Sequence, residues 1–427
     1  NNLTDAGASF EYEDLANEEP NAALFAKDDL TINGTGSLTV NAGFNNGIGS
    51  KDDLLIVSGS ITVNAVNHAL RGNDSVTVLD GSLDLIAGND GIQTNNTEDP
   101  LLGWVSVSGG SISIQSGHDG IQADTTLTIA GGDLTINGAA VSSQASTSDS
   151  FKGIKAGGEI SITSGKLNIT SADDSVHANG NITISGGEIS LATQDDGVHS
   201  DASLIVSDGT ITVTGSYEGL EAMNLAISGG TINIVSSDDA LNAAGGVDQS
   251  GTGGQFPQDR FAASGKYSID ISGGNISFYA GGDGIDSNGT ITISGGMLLA
   301  QIRSSADNGA IDGDGIVTFS GGTLAFGGTG TGAVPGDLSS QSYVFISSGV
   351  TAGSELSIQK EGQLLMSVTV TTDSQYMAFS APGIEVGESY EVYNGSSLLA
   401  EVTAGEGVSG MPGGGKPGSG MGGPGRR

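Results

Sequence analysis

The chain has 427 residues, among them 73 Gly, 49 Asp or Glu, 13 Lys or Arg and no Cys, for a formal charge of −36. That balance excludes nucleic acid as an ordinary partner, because phosphate binding needs clustered Lys and Arg. No run approaches the roughly 18 apolar residues of a membrane span, so membrane insertion is not expected, and any staple must come from packing or bound ions. Acidic disorder is excluded too, because Ile, Val and Thr alternate strictly along most of the chain.

In chain order, a short marker recurs. It runs Asn46-Gly47-Ile48, His68-Ala69-Leu70, Asp90-Gly91-Ile92, Asp119-Gly120-Ile121 and Lys152-Gly153-Ile154 in the first half of the repeat. It continues as Asp174-Ser175-Val176, Asp196-Gly197-Val198, Glu218-Gly219-Leu220, Asp239-Ala240-Leu241 and Asp283-Gly284-Ile285. Most steps are 22 residues and one is 21; the longer steps carry insertions at Thr94 to Trp104, Ala139 to Ser150 and Val247 to Lys266. Between markers lie short alternating runs split by Gly-rich corners, such as Ile182-Thr183-Ile184, Gly186-Gly187 and Ile189-Ser190-Leu191.

A register that recurs without reversing predicts a coil whose strands pair in parallel with the same strand of the next coil. The fold class is therefore all-β, a right-handed parallel β-helix (solenoid) with about 22 residues and three short strands per coil. Twelve coils spaced about 4.8 Å apart make a rod of roughly 60 Å. Three inward stacks follow from the alternation, headed by Ile48, Ile56 and Val63 and repeating at the marker interval. The period fades after Phe326, and Tyr343 to Val402 reads as a small C-terminal β cap over the last coil. The expected divisions are 1–330 for the β-helix, 331–408 for the cap and 409–427 for a flexible Gly/Pro-rich tail.

Residues one period apart stack at about 4.8 Å, which places Asp174 over Asp196 and Asp173 over Asp195. Asp90, Asp119, Glu218, Asp238, Asp239 and Asp283 extend the same edge. Like charges at that spacing disfavour folding unless neutralised, and Lys is almost absent from the edge after Lys155. Carboxylates with corner carbonyls form a hard oxygen set, which points to Ca²⁺ as the cofactor. For a single Asp-Gly, a turn-forming Asp bonded to its own backbone explains the residue better; recurrence of doubled acids in adjacent coils favours the ion. His177 and His199, one residue after the core Val, are expected at the surface beside this edge. Lys27-Asp28-Asp29 over Lys51-Asp52-Asp53 reads as solvated charge, since each coil brings its own Lys.

Catalysis is not expected, and no catalytic residue is assigned. The acid pairs repeat along the rod without one unlike constellation of acid, His and Arg, as glycoside hydrolysis or proton abstraction would require. Outward Thr and Ser, among them Thr39, Thr62, Ser113, Thr135, Ser190 and Thr212, form ladders that solvation alone explains. Aromatic platforms are sparse, with one Trp in the chain.

The strings Asp195-Asp196-Gly197-Val198-His199-Ser200, Ser228-Gly229-Gly230-Thr231-Ile232-Asn233-Ile234 and Tyr217-Glu218-Gly219-Leu220-Glu221 resemble a calcium-binding, carbohydrate-binding parallel β-helix family of clostridia and relatives. Glu19-Pro20-Asn21-Ala22-Ala23, followed by Lys27-Asp28-Asp29-Leu30-Thr31-Ile32, is similar to the same family. The resemblance implies an extracellular or cell-surface, secreted protein, and the opening at Asn1 without an initiator Met reads as a processed N-terminus. It would bind plant cell-wall polysaccharides such as cellulose or pectin without cleaving them. It also implies calcium on Asp173, Asp174, Asp195, Asp196, Asp238, Asp239 and Asp283. Asn67-His68 and Phe151-Lys152 replace the acidic pair in their coils, so ions are not expected there. The competing expectation is a filament subunit that joins copies of itself end to end, since an uncovered coil is a template for strand addition.

Overall fold

A computed structural model of the chain describes residues 1–9, 11–14, 19–138, 150–244, 267–303, 308–328 and 339–405. It is all-β: a parallel solenoid of about 12 turns, with one short 3-10 turn at Gly7–Ser9 and no α-helix among the described residues. No helix is long and apolar enough to cross a membrane among those residues.

Each coil lays down three strands. Ile160–Ile162, Lys166–Thr170 and Val176–Ala178 are one such set. Every strand pairs in parallel with its counterpart one coil on, as Ile154 does with Val176 and Val176 with Val198. Insertions leave the register intact: Ile92 still pairs with Ile121, and Ile121 with Ile154. At the first insertion the Thr94 hydroxyl donates to the Gly103 carbonyl at 2.8 Å, closing the excursion on the rod. The insertions at 139–149 and 245–266 and the tail from 406 onward lie outside the described residues.

The core is one continuous column of the inward residues. Ile48, Ile56 and Val63 are fully buried, and so are Val198, Val206 and Leu191 higher up. Glycine is demanded at two kinds of corner. Gly187 holds φ of 97° and Gly209 holds 102°, the left-handed region that a β-carbon resists. At Gly197, the marker glycine, an added Cβ would sit 2.5 Å from the carbonyl oxygen of Gly219 in the next coil. The marker Gly is thus a packing requirement between coils.

The C-terminal end of the rod is covered. Strand Tyr376–Ser380 runs antiparallel along the last coil strand, Phe326 facing Ala378, and also along Val344–Ile346. Beyond it, Glu355–Lys360, Gln363–Thr369, Ser389–Asn394 and Ser397–Thr403 form a separate four-stranded antiparallel sheet. Its own core, with Leu356, Tyr390 and Phe379, is continuous with Leu299 and Ala325 of the last coils. Buried Gln301 staples the two together: its amide donates to the Thr372 carbonyl at 2.9 Å and its oxygen accepts the Thr371 N–H at 2.8 Å.

Candidate functional site

The acid edge is one slot of the coil, immediately ahead of the marker strand, and its lower members Asp90, Asp119, Asp174, Asp196 and Glu218 are buried. One oxygen of most acids in this slot has the same task. Asp90 Oδ1 accepts the N–H of Asp119 at 3.0 Å, and Asp119 Oδ1 accepts the N–H of Lys152 at 2.7 Å. Asp174 Oδ1 accepts from Asp196 N–H and Asp196 Oδ1 from Glu218 N–H, each at 3.1 Å. Asp239 Oδ1 does the same for Asp283, and Asn46 for His68. The bond of these residues therefore runs to the next coil and not, as in a turn-forming Asp, to the residue's own backbone. A buried N–H without this acceptor costs about 1–3 kcal/mol, so each acid helps to fasten one coil to the next.

The second oxygens meet a counter-charge that the sequence reading did not foresee. Lys152, read as a gap in the acid column, is fully buried, with Nζ 2.8 Å from Asp173 Oδ1 and 2.7 Å from Asp174 Oδ2. A protein cation therefore does stand in the edge at this point. Burial alone would raise the Asp174 carboxyl, but the Lys152 ammonium and the neighbouring His177 and His199 hold it well below the usual carboxylate range. His177 and His199 are likewise buried and not on the surface. The alternation of the strand points them outward, but the acids across the corner cover them. His177 Nδ1 lies 2.9 Å from Asp174 Oδ2, and His199 Nδ1 lies 3.1 Å from Asp196 Oδ2.

Asp173, Asp174 and Asp195 bring carboxylate oxygens within 4.8 Å of one another. Asp173 Oδ2 is buried there with no hydrogen-bond partner. Two coils further on, Asp238, Asp239 and Asp283 continue the edge, joined by Asp286 and Asp312, which the sequence reading missed. The register signal was available, since Asp286 pairs with Asn242 below and Asp312 above. Burial first, then the charges of Asp286, Asp238 and Asp283, push Asp239 up to about 9. Burial with the charges of Asp312 and Asp238 lifts Asp283 to about 6, and burial with the charges of Asp283, Asp312 and Asp314 lifts Asp286 to about 7. Asp238 Oδ1 and Asp239 Oδ1 converge on the space above Gly282, which a Cβ would fill. Tyr217, an aromatic of the sequence reading, gives its hydroxyl to Asp238.

Elsewhere, Lys27 and Lys51 both turn to the buried Glu19, Lys27 at 2.9 Å, and do not pair with the acids of their own coils. Asp28, Asp29 and Asp52 also lie within 4.8 Å of one another, mostly exposed. The hydroxyl ladder is in register: Thr39 pairs with Thr62, Ser113 with Thr135 and Ser190 with Thr212. Asp84 and Asn168 fill slots of the same ladder, so it is polar throughout this stretch.

A family model described as "Carbohydrate-binding domain-containing protein" matches residues 1–197 and, overlapping, 180–257. The chain belongs to this family. The overlap falls on the coil of Asp195 and Asp196, as a repeat that slides by one period would produce. A "Carbohydrate-binding domain-containing protein" of Acetivibrio thermocellus is 55% identical over 65 residues, 15% of this chain and 22% of the relative. The chain thus spans about a fifth of that relative's length. No solved structure matches. The matched region takes in the acid edge up to Asp239; the coils of Asp283 and Asp312 and the cap lie beyond it.

Proposed function

We propose that the chain is a non-catalytic, extracellular protein that binds a plant cell-wall polysaccharide along its rod, with calcium holding part of the acid edge. Family membership across residues 1–257 carries the reading. The geometry supports it with a long parallel face whose Thr, Ser, Asn and Asp side chains repeat at the coil spacing of about 4.8 Å. A regular polymer can follow such a ladder over many coils, each contact weak and the sum large. The acids offer little for hydrolysis, since one oxygen of Asp90, Asp119, Asp174 and Asp196 is engaged by the next coil's backbone.

The proposed calcium positions are two: Asp173 with Asp195, and Asp238 with Asp239 and Asp283. The orphaned Asp173 Oδ2 and the cradle above Gly282 fit a hard cation with oxygen ligands. Bound there, the ion supplies positive charge between stacked carboxylates. Asp90, Asp174, Asp196 and Glu218 are left out, because their second oxygens face His68, Lys152, His199 and Asn242, and Asp119 because it is engaged by the Lys152 N–H and the Ser150 side chain and faces the charge of Lys155. Growth of a filament through both coil ends is disfavoured, since Tyr376–Ser380 already lies along the C-terminal edge.

Retention of the full chain on insoluble cellulose or pectin, with and without calcium, tests the reading. Retention on at least one polymer is expected, without release of new reducing ends. Passage through every polymer would remove the binding role, and product release would remove the non-catalytic one.

A further inference from the structure

Two successive coils repeat the string Asp-x-Val-His, as Asp174-Ser175-Val176-His177 and Asp196-Gly197-Val198-His199. The next coil places Glu221 in the histidine slot, paired with His199. This column lies beside the all-oxygen calcium positions but has a different chemistry. His199 Nδ1 is 3.1 Å from Asp196 Oδ2 and 2.9 Å from Glu221 Oε2. The ligand atoms of all three residues fall within 4.8 Å of one another, and Asp196 and His199 are buried. We propose that Asp196, His199 and Glu221 bind a borderline divalent transition metal of the Zn²⁺ class.

The donor set decides the metal. One imidazole nitrogen and two carboxylate oxygens suit Zn²⁺ and its neighbours, whereas Ca²⁺ takes oxygen alone. Bonds of about 2.0 Å at a tetrahedral angle set neighbouring ligand atoms about 3.3 Å apart, so separations of 3.1 and 2.9 Å need only a small opening. The outer shell is in place as well. Asp201 Oδ1 lies 3.3 Å from His199 Nε2, on the far side of the ring from the proposed metal, where orienting carboxylates stand in such sites. His199 Nε2 is buried and makes no hydrogen bond of good geometry, so the ring is not committed to another role. Side-chain exposures of 12% for Glu221 and 15% for Asp201 leave an ion a way in.

Asp196 Oδ2 and Glu221 Oε2 both face His199 Nδ1, so a divalent ion among them would neutralise both acids at once. His177 sits one coil below, its ring centroid 5.1 Å from that of His199. With Asp174 and His199 it forms the neighbouring group of three possible ligands.

The test is cobalt substitution in the full chain, stripped with EDTA and returned to buffer containing millimolar calcium. Uptake of about one Co²⁺ per chain, with visible d–d absorption of an N/O site, is expected. Glu221→Gln and His199→Asn should each weaken uptake at least about ten-fold, while Asp208→Asn, at an exposed corner of the same coil, leaves it unchanged. Because His199 is buried, zinc is also added to the ¹⁵N-histidine-labelled wild type, where the Nδ1 resonance of His199 should move. No uptake, uptake displaced by calcium, or an unmoved His199 resonance would each overturn the proposal. Polysaccharide retention is a separate readout and stands or falls independently.

Discussion

Lys152 Nζ lies 2.7 Å from Asp174 Oδ2 and 2.8 Å from Asp173 Oδ1, and the lysine side chain has no exposure to solvent. Three charges are thus stacked in the wall of a thin solenoid, with one ammonium between two carboxylates. Removing one partner of a buried pair leaves the other charge without compensation, at a cost of about 3–5 kcal/mol. Lys152→Met should therefore lower the unfolding free energy read from urea denaturation by an amount of that order, although methionine fills the volume. Lys166, paired with Glu188 at 3.5 Å on the surface, is the control: Lys166→Met should change that free energy by no more than about 1 kcal/mol. Equal effects of the two changes would show that the buried triad carries no special weight.

The contrast between Lys152 and the core shows what the sequence made legible. Alternation and period locate Ile154, Ile162 and Ile169 directly, because an apolar side chain at an inward slot has one place to go. The coil, its three strands and the cap strands around Met366 and Tyr390 follow from the same reasoning. Polar residues at the corner obey no such rule. Their partners lie one coil away, across an insertion for Lys152, and burial depends on what covers the slot from the side. His177 occupies an outward position in its strand yet is buried, because Asp174 and Asn179 close over the ring. Asp286 and Asp312 were missed because only the slot ahead of the marker was followed, and the slot behind it stacks with equal regularity.

The coil-to-coil ladder predicts a difference between amide and alanine at the acid slot. Asp90 Oδ1 accepts the N–H of Asp119 at 3.0 Å, a task that Asn46 already performs for His68 with an amide oxygen. Asp90→Asn should be nearly neutral. Asp90→Ala leaves the N–H of Asp119 buried without an acceptor and should cost about 1–3 kcal/mol. Denaturant midpoints of the two variants decide it; matching losses would mean that charge, and not the hydrogen bond, is what this slot contributes.

Asp119 gives the molecule a pH dependence of known sign. Burial, with the charge of Asp90 next, pushes its carboxyl from the usual 3.8 up to about 6. The folded chain therefore holds this proton more tightly than the unfolded chain does. Its contribution to stability is fully present below about pH 4 and is lost as pH rises through about 6. Asp119→Asn keeps an oxygen for the Lys152 N–H and has no proton to lose, so this part of the slope should vanish. Melting temperatures from pH 4 to 8 for both proteins provide the check. A difference between them that stays constant with pH would remove the assignment.

The proposed calcium cradle can be probed without replacing a carboxylate. Above Gly282 the oxygens Asp238 Oδ1 and Asp239 Oδ1 occupy the space that a Cβ would take. The atoms met first are the ends of two side chains, which can swing aside, so Gly282→Ala should displace them and leave the coil folded, at the cost of the Asp283 N–H bond to Asp239 Oδ1, about 1–3 kcal/mol. In EDTA the variant should therefore melt below the wild type. In calcium the wild type should gain stability by mass action, by about 2.7 kcal/mol at a hundred times the dissociation constant, and the variant should gain measurably less. The difference isolates the cradle from the Asp173 and Asp195 position, which the glycine does not touch. An identical calcium response in both proteins would place the ion elsewhere on the edge.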